Sequence, residues 1–424
     1  MSAAETKVLT RRIGVITPFD LAAYRADGGY AALEKALSAG RDAVTQEVKR
    51  SGLLGRGGAG FPTGLKWEMT AREGAEPKYL LCNADEGELG THKDRLLLGG
   101  DPCRVLEGMT IAAYAAGAAK GIIYFNEEFR ALAEQWERLI RQAEEEGLLG
   151  EDIMGSGFGL TVKTCLGRGL YIAGEEMALI SSLEGKRPTS RPKPPFPTQA
   201  GLFGLPTCIN NVETLANVPD IVWRGADWFL SMGLPDDPGT RLVSLSGDVK
   251  EQCVCEIAVG SCTLAEAVPA FAGGTRGGRP VRAVQPGGGT SAFLAGGALD
   301  TPIASRPIAE AGSSLGTAGV TVYEEGHSLV DAVVSIMEYY GRESCGRCAP
   351  CRIGTVRMLE ILKLIQAGAG KPEHLEQLRR IGRACVLGST CGMGEAFPQP
   401  VLSALKLFPE EFESRLVGAS RAVR

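Results

Sequence analysis

Hydrophobic and polar positions along this chain follow two periods, and the period changes with position. From residues 20 to 50, apolar residues recur every three or four positions, which predicts short amphipathic helices. Between residues 78 and 220, short apolar runs such as KYLLCNA, GIIYF and GLTVKT alternate with helical stretches such as RALAEQWERLIRQAEEEG. That alternation is typical of an α/β layer domain, which we predict over residues 1–237.

The pattern changes after Trp228. Strand-like pieces separated by Gly and Pro, among them TRLVSLSGDV, CVCEIAV and VRAVQPGGG, predict a small α+β unit over residues 238–325. From Ser328 onward the apolar spacing is helical again, as in SLVDAVVSIMEYYGRE and GTVRMLEILKLIQAG. We therefore predict a helical bundle over residues 326–424.

Composition narrows the classes of function. The net charge of −5 comes from 45 basic and 50 acidic side chains that are mixed along the chain, so we expect no nucleic-acid partner. The first 20 residues lack the apolar core of a secretory signal. The longest apolar run, over residues 109–125, is interrupted by Lys120 and is shorter than the roughly 20 residues of a spanning helix. We expect a cytoplasmic protein without a membrane span.

The twelve cysteines cluster convincingly at one place. In ESCGRCAPCR, the thiols of Cys345, Cys348 and Cys351 are spaced by two residues, so that one loop could hold three corners of a cubane iron-sulfur cluster. The fourth ligand must come from elsewhere, either Cys391 in the turn-like STCGMG or Cys385 at the end of the helical RRIGRAC; we favour Cys391. A structural zinc site is the alternative, although zinc usually uses two separated Cys-x-x-Cys pairs.

A glycine-rich segment, GRGGAGFPTGLKW, follows residue 54 and formally contains Gly-x-Gly-x-x-Gly. The sequence before it is helical in pattern rather than strand-like, so it fails the structural test of a standard dinucleotide-binding turn. Its many glycines would still allow the backbone amides to approach a phosphate closely, and Arg56 and Lys66 would place positive charge nearby. An ordinary flexible loop is the competing interpretation.

Three further polar motifs stand where ligands bind in α/β proteins. NADEGE follows the strand-like KYLL, where carboxylates could accept hydrogen bonds from ribose hydroxyls or a flavin ring N–H. GRGLYIAGEE places two acids at a helix start, where they could equally complement the helix dipole. PTCINNVETL begins a helix with an Asn cap. An exposed acidic loop is an equally good interpretation of the first motif taken alone.

In this order, GRGGAGFPTGLKW, NADEGELGTHKDR, YIAGEE, INNVETLANV and ESCGRCAPCR resemble the NADH-binding flavoprotein subunit of respiratory complex I and its relatives. Those relatives include the diaphorase subunits of soluble NAD-dependent formate dehydrogenases and NAD-reducing hydrogenases. The resemblance covers nearly the whole chain. It implies an α/β domain that binds FMN and NADH, a small ubiquitin-like domain of the SLBB type, and a C-terminal helical bundle that holds a [4Fe-4S] cluster.

The resemblance also implies residue roles. The residues that would hold FMN are Gly55, Gly57, Gly58, Gly60, Lys66, Asn83, Asp85, Glu86, Gly174, Glu175, Asn210, Asn211 and Thr214. The residues that would contact NADH are Phe61, Glu88, Tyr171, Glu176, Lys193 and Phe196, with the two phenylalanines stacked on the adenine and Glu88 a candidate for the nicotinamide site. Cys345, Cys348, Cys351 and Cys391 would bind the cluster.

The implied reaction passes a hydride between NADH and FMN and then single electrons to the [4Fe-4S] cluster and to partner subunits. No side chain needs to act as a general acid or base, because the flavin carries the chemistry. The implied partners are a thioredoxin-like [2Fe-2S] subunit and a larger iron-sulfur subunit or a molybdenum- or tungsten-containing catalytic subunit. Beside the adenosine ribose, Glu176 should repel a 2′-phosphate and favour NADH over NADPH.

Alternatives stay open at this point. The CRIGTVRM run and the STCGMG setting of Cys391 are closer to formate dehydrogenase and hydrogenase diaphorases, so a β subunit that reduces NAD+ is one alternative. A membrane-associated electron-transport subunit is a second, although such subunits carry two cysteine clusters that end in Cys-Pro. A zinc-binding nucleotide scaffold, from a different functional class, is a third. The parent complex decides whether the protein works free in the cytoplasm or at the cytoplasmic face of a membrane complex.

Overall fold

The computed structural model of the chain describes residues 4–417, so the predicted domain ends at residues 1 and 424 lie outside the described residues. The N-terminal part contains the strands β1 (Tyr79–Ala84), β2 (Lys120–Phe125), β3 (Thr161–Leu166) and β4 (Thr207–Asn211). Its helices are α1 (Leu21–Ala26), α2 (Ala31–Ala39), α3 (Arg41–Arg50), α4 (Thr63–Arg72), α5 (Lys93–Gly100), α6 (Pro102–Ala116), α7 (Arg130–Glu145), α8 (Glu176–Leu183), α9 (Pro197–Ala200), α10 (Val212–Arg224) and α11 (Ala226–Leu230). The four strands form one parallel sheet in the order β3-β2-β1-β4.

Helix α6 lies at the centre of this layer, and its sequence explains why. All of its residues except Tyr114 are buried. Most are apolar, as expected of a central helix, and its two charged side chains have buried partners: Arg104 pairs with Asp220, and Glu107 accepts from the Tyr24 hydroxyl. At Gly108 a Cβ atom would lie 2.0 Å from the Leu215 carbonyl oxygen, so a side chain there would separate α6 from α10. The alanine- and glycine-rich run is therefore a buried helix followed by a central strand.

The second part is a mixed five-stranded sheet. Its strands are β7 (Thr240–Gly247), β8 (Cys253–Ala258), β9 (Val281–Gln285), β10 (Leu294–Ala295) and β11 (Gly319–Glu324), and its helices are α12 (Leu264–Ala272) and α13 (Ser305–Glu310). A two-stranded ribbon of β5 (Gly233–Leu234) and β6 (Asp237–Pro238) precedes it. The sheet order is β10-β9-β11-β7-β8, with β11 and β7 parallel and the other pairs antiparallel.

The third part is helical. Its helices are α14 (Leu329–Glu343), α15 (Ala349–Gln366), α16 (Pro372–Gly388), α17 (Gly392–Ala396), α18 (Gln399–Leu407) and α19 (Pro409–Glu413). A hydrophobic core that includes Met337, Met358 and Phe397 joins these helices. None of the described helices is long and apolar enough to cross a membrane.

The prediction of an α/β fold with a parallel sheet, a small α+β unit and a helical bundle is confirmed. The exact domain boundaries stay predictions. Charged side chains are buried between the parts: the Arg56 guanidinium of the glycine loop lies 2.6 Å from Asp237 in β6 and is fully buried. Because an unpaired charge is costly in a protein interior, this ion pair fixes the glycine loop against the second part.

Candidate functional site

A cavity of about 710 Å³ opens at the carboxyl end of the parallel sheet, within the size range of cofactor sites. It lies outside the ends of β1 and β4, which is where ligands bind in open α/β sheets. All nineteen residues proposed from the sequence for FMN and NADH line this cavity. The structure therefore brings together segments that are as far apart in sequence as Gly55 and Thr214. How they are divided between the two ligands stays a prediction.

The glycine loop forms one wall between α3 and α4. Its turn is closed by the Gly55 amide, which donates to the Phe61 carbonyl oxygen at 2.9 Å, and the Arg56 amide donates to the Thr214 hydroxyl at 2.8 Å. At Gly57 a Cβ atom would lie 3.0 Å from the Asn211 Cβ atom. The loop thus packs its bare backbone against the start of α10, where helix amides offer donors to an anion.

Asparagine residues organise the end of β4 as the sequence predicted. The Asn211 side chain caps α10 by accepting from the Glu213 and Thr214 amides at 2.9 and 3.4 Å. The Oδ1 atom of the neighbouring Asn210 side chain accepts from the Trp67 indole N–H at 3.0 Å. Both side chains are therefore held in place by contacts made within the protein before any ligand arrives.

Two carboxyl groups directly after β1 have raised pKa values, so their neutral forms are favoured. Burial raises the pKa of Asp85 to about 7, although its Oδ1 atom accepts from the Asn126 amide at 2.7 Å. Burial and the nearby Asp94 raise the pKa of Glu86 to about 7, against a hydrogen bond from Arg95. Within residues 4–417 the buried Oδ2 atom of Asp85 has no hydrogen-bond partner. A buried polar atom without a partner, at a cavity wall, fits a ligand that supplies a donor.

Glu88 connects three parts of the chain. Its carboxylate accepts from the hydroxyls of Tyr171 at 2.5 Å and Tyr340 at 2.7 Å, and from the Thr290 amide at 3.2 Å. Burial raises the pKa of Glu88, and the tyrosine hydrogen bonds oppose that shift. Because Thr290 belongs to the second part and Tyr340 to α14, Glu88 holds the cavity wall to both neighbouring parts.

The predicted adenine end of the cavity combines exposed aromatics with ion pairs. Phe61 and Phe196 are 41% and 47% exposed, which leaves their faces open to a ligand. Glu176 lies 3.0 Å from the Lys66 ammonium and 3.1 Å from that of Lys193. Burial alone would raise the pKa of Glu176, but the two lysines outweigh it and hold the pKa below the usual value. Glu176 therefore stays ionised.

Beneath the floor of the cavity lies a buried ion network that sequence reasoning missed. The Lys93 ammonium lies 2.9 Å from Asp94 and 2.8 Å from Glu213, and all three side chains are buried. The Asp94 carboxylate in turn accepts from the side-chain amide of Asn211 at 2.7 Å. The only signal was the position of Lys93 and Asp94 in GTHKDR, directly after the acidic motif.

The cavity also has wall residues from the second and third parts that the sequence did not point to. They come from loops of the second part and from α17, far along the chain from the glycine-rich and acidic motifs. Only Gly392 and Met393 lie in a motif that the sequence analysis singled out, the STCGMG around Cys391. These are Gly287, Thr290, Ser314, Gly316, Thr317, Gly392, Met393 and Ala396. Gly392 and Met393 directly follow Cys391, so the cysteine loop borders the same cavity.

The triplet cysteines lie at the start of α15, next to the loop before α17. Burial alone would raise the pKa of Cys348, but hydrogen bonds from the Thr390 and Cys351 amides lower it. The Ser344 hydroxyl lies 3.2 Å from the Cys351 sulfur. At Gly394 a Cβ atom would lie 3.4 Å from the Cys351 Cβ atom. A Cβ atom there would also lie 2.6 Å from the Ser389 Cβ atom, so the glycine lets the start of α17 lie close to Ser389 and Cys351.

Cys385 and Cys391 occupy different environments. The Cys385 sulfur lies 3.2 Å from the Pro350 carbonyl oxygen, and it would lie 2.3 Å from a Cβ atom at Gly354, inside the α15–α16 contact. Burial raises the pKa of Cys391 to about 11, and its other neighbours include the thiols of Cys345 and Cys348. Within residues 4–417, no group of three His, Cys, Asp or Glu side chains is placed to hold a single metal ion.

Two family models match the chain. The first, described as the Nuo51 FMN-binding domain, matches residues 48–220, and the second, described as the NADH-ubiquinone oxidoreductase-F iron-sulfur binding region, matches residues 331–415. The first match spans the parallel sheet and all nineteen cavity residues predicted from the sequence. The second spans α15, α16 and all four predicted cluster cysteines.

Complete relatives are similar over almost the whole chain. An F-type subunit of the NADH-quinone oxidoreductase of Rhizobium meliloti is 43% identical over 410 residues, which are 96% of this chain and 97% of the relative. The NADP-reducing hydrogenase subunit HndC of Solidesulfovibrio fructosivorans is 40% identical over 97% of this chain and 84% of its own. A crystal structure of an NAD+-reducing [NiFe]-hydrogenase superposes with a TM-score of 0.86 at 34% identity, covering 97% of this chain and 67% of that chain.

Proposed function

The chain belongs to the family of F-type NADH-quinone oxidoreductase subunits, and from that premise we propose how its own residues carry electrons from NADH to a partner. It is an NADH oxidoreductase flavoprotein subunit with FMN and a [4Fe-4S] cluster, as the sequence predicted. The observation that carries the proposal is the single cavity, lined by all nineteen predicted residues and bordered by Gly392 and Met393 of the cysteine loop.

When bound, FMN would supply the hydride acceptor for NADH, and the [4Fe-4S] cluster would supply a one-electron carrier. The glycine loop and the start of α10 hold the FMN phosphate with backbone donors. Asn83 and Asp85 line the cavity at the end of β1 and would hold the flavin there. The Asn83 side-chain amide donates to the Gly174 carbonyl oxygen at 2.8 Å and so joins the two loops. The partnerless Asp85 Oδ2 atom accepts a donor of the ring or holds a proton there.

NADH lies against Phe61 and Phe196, the exposed aromatics of the outer cavity. Glu176, kept ionised by Lys66 and Lys193, accepts from the adenosine ribose hydroxyls. The carboxylate of Glu88 holds Tyr171 at the inner end, next to the nicotinamide. Stacking positions the dinucleotide, and the ionised carboxylate discriminates against a 2′-phosphate.

Cys345, Cys348, Cys351 and Cys391 bind the cluster. The Thr390 amide already favours the thiolate of Cys348, and cluster assembly displaces the protons of the other thiols. Because Gly392 and Met393 line the cavity directly after Cys391, these cysteines would hold the cluster beside the cavity wall, where it would supply a one-electron carrier. Cys385 stays a buried thiol between α15 and α16.

The partners are proposed to be a thioredoxin-like [2Fe-2S] subunit and a larger iron-sulfur subunit, with a molybdenum- or tungsten-containing catalytic subunit in the case of a formate dehydrogenase. The protein would work in the cytoplasm or at the cytoplasmic face of a membrane complex. Relatives named as subunits of an NADH-quinone oxidoreductase and of a hydrogenase support a multi-subunit setting.

The test is spectroscopic. Chain purified without oxygen and loaded with FMN, iron and sulfide should show flavin and iron-sulfur absorbance that NADH bleaches within the mixing time. A variant with Lys66→Ala and Thr214→Ala should lose FMN but keep the cluster, whereas an exposed-site control, Lys120→Ala, should keep both. A colourless protein that contains only zinc would refute the assignment.

Reverse flow, in which a partner reduces NAD+ through this chain, is the second candidate. It is favoured by the likeness to an NAD+-reducing hydrogenase over 97% of the chain. Identifying the chains that co-purify with the native complex separates the two directions: a hydrogenase or formate dehydrogenase catalytic chain supports NAD+ reduction, and membrane subunits contradict it.

A further inference from the structure

A serine hydroxyl lies against the most deeply buried cysteine of the triplet. The Ser344 Oγ atom lies 3.2 Å from the sulfur of Cys351, which is only 5% exposed, whereas Cys345 and Cys348 are less buried. Ser344 is the residue that ends α14, and Cys351 lies in the first turn of α15. The contact therefore joins the two helices that flank the cysteine loop.

The surroundings of Ser344 determine which group donates in this contact. Its backbone N–H donates to the Tyr340 carbonyl oxygen at 3.1 Å, and its Oγ atom accepts from the Gly346 amide at 3.3 Å. Because the oxygen accepts this N–H, its own proton stays available for the Cys351 sulfur. A cysteine that ligates iron has lost its proton and can only accept, so Ser344 is the donor to a ligating Cys351.

The partner of Cys385 has the opposite polarity. The Cys385 sulfur lies 3.2 Å from the Pro350 carbonyl oxygen, which can only accept a hydrogen bond, so this thiol donates. A hydroxyl, in contrast, can donate to a sulfur that carries no proton. The contact at Cys351 therefore suits a cluster ligand, and the contact at Cys385 suits a free thiol.

A second hydroxyl beside the cysteines has no partner. The Ser389 Oγ atom is buried and makes no hydrogen bond within residues 4–417. A Cβ atom at Gly394 would lie 2.7 Å from this oxygen and 3.4 Å from the Cys351 Cβ atom, so the hydroxyl and the cysteine border the same point. A buried donor without a partner fits a sulfur-rich group that supplies acceptors. The residues present therefore fit a [4Fe-4S] cluster.

Hydrogen bonds to the sulfurs help to set the reduction potential of an iron-sulfur cluster. Reduction adds one negative charge, and a donor to a ligand sulfur stabilises the more negative form. We infer that the Ser344 hydroxyl, by donating to the Cys351 sulfur, raises the reduction potential of the cluster. The inference rests on the proposed function, in which Cys351 holds that cluster. The step that it favours transfers one electron from the reduced flavin; no bond forms or breaks, and the serine keeps its proton.

The test is a redox titration of the loaded chain with dithionite and mediators, followed by EPR of the reduced cluster. In Ser344→Ala we expect the equilibrium constant for uptake of one electron to fall about tenfold, as for loss of one hydrogen bond to a charged acceptor. That is a reduction potential lower by about 59 mV. The matched control is Ser414→Ala, because Ser414 is exposed at the end of α19 and its hydroxyl donates to the Glu411 carbonyl oxygen. The control should keep the wild-type potential.

Two further variants separate the hydroxyl from the shape of the side chain. Ser344→Thr keeps the hydroxyl and should keep the wild-type potential, whereas Ser344→Val has the shape of threonine and should shift as Ser344→Ala does. Equal potentials in the threonine and valine variants, or an unchanged potential in Ser344→Ala, would overturn the inference. Loss of iron from both Ser344→Ala and Ser344→Val would also overturn it, because Ser344 would then serve cluster assembly rather than the potential.

Failure of the proposed function would look different. The titration uses dithionite, so it needs neither NADH nor FMN. A wild-type chain that holds no iron-sulfur cluster, or whose flavin NADH does not bleach, would refute the proposed function. A wild-type chain that holds the cluster at a potential indifferent to the Ser344 hydroxyl would refute the inference alone.

Discussion

Replacement of Asp85 by asparagine tests whether burial of this carboxylate in the cavity wall destabilises the folded chain. Burial raises the pKa of this carboxyl from 3.8 to about 7, so the folded chain favours its protonated form. Folding stability is then fully present below the unfolded pKa and is lost as the pH rises through the folded pKa. Three pH units at about 1.4 kcal/mol each give a loss of at most about 4 kcal/mol above pH 7. Solvent in the open cavity lowers that figure.

Asp85→Asn keeps the acceptor for Asn126 and removes the charge. In the FMN-free chain we expect the variant to be more stable than the wild type at pH 8, by up to about 4 kcal/mol, and equally stable at pH 4. Urea unfolding midpoints across that pH range measure the difference, with the exposed Asp300→Asn as the control. A variant that is no more stable at pH 8 than at pH 4, relative to the wild type, would refute the burial argument.

The other predictions concern the nucleotide, the cluster and the buried ion network. Glu176→Gln should raise the ratio of kcat/KM for NADPH to that for NADH about tenfold, since a single charge is removed from the ribose site; an unchanged ratio in steady-state kinetics contradicts this. Cys391→Ala should lose the iron-sulfur absorbance and the iron, and Cys385→Ala should keep both; the reverse would show that Cys385 is the ligand. Lys93→Met leaves Glu213 buried without its cation and should cost about 3–5 kcal/mol, seen as a lower urea midpoint, unless Glu213 takes up a proton.

Local patterns determined much of the fold. The apolar spacing located α7 and the almost entirely buried α6, and the strand-like KYLLCNA became β1, because burial on one or most sides of an element is visible in its own residues. Helix starts are also determined by neighbouring residues: the Asn211 side chain accepts from two backbone amides in the first turn of α10. The glycine loop was recognisable from its run of glycines, and in the structure a Cβ atom at Gly57 would make a tight contact with Asn211, at 3.0 Å.

Contacts between distant segments were decided by the tertiary structure. No pattern joined Glu88 to Thr290 and Tyr340, which are about 200 and 250 positions away in the chain. No pattern showed that Lys93 neutralises Glu213. These side chains are ordinary in sequence, and their partners are chosen by how the sheet, the second part and the helices pack.

By itself the sequence determined the chemistry that this protein can hold: three cysteines at a spacing that fits one cluster, and glycines and acids in the order of an NADH-oxidising flavoprotein. Spacing is a local property, so it survives without coordinates. The tertiary structure decided which environment surrounds Cys391 and Cys385, and that one cavity collects the residues predicted to bind FMN and NADH. Burial and electrostatic potential arise from all neighbours in space, and only the folded chain brings those neighbours together.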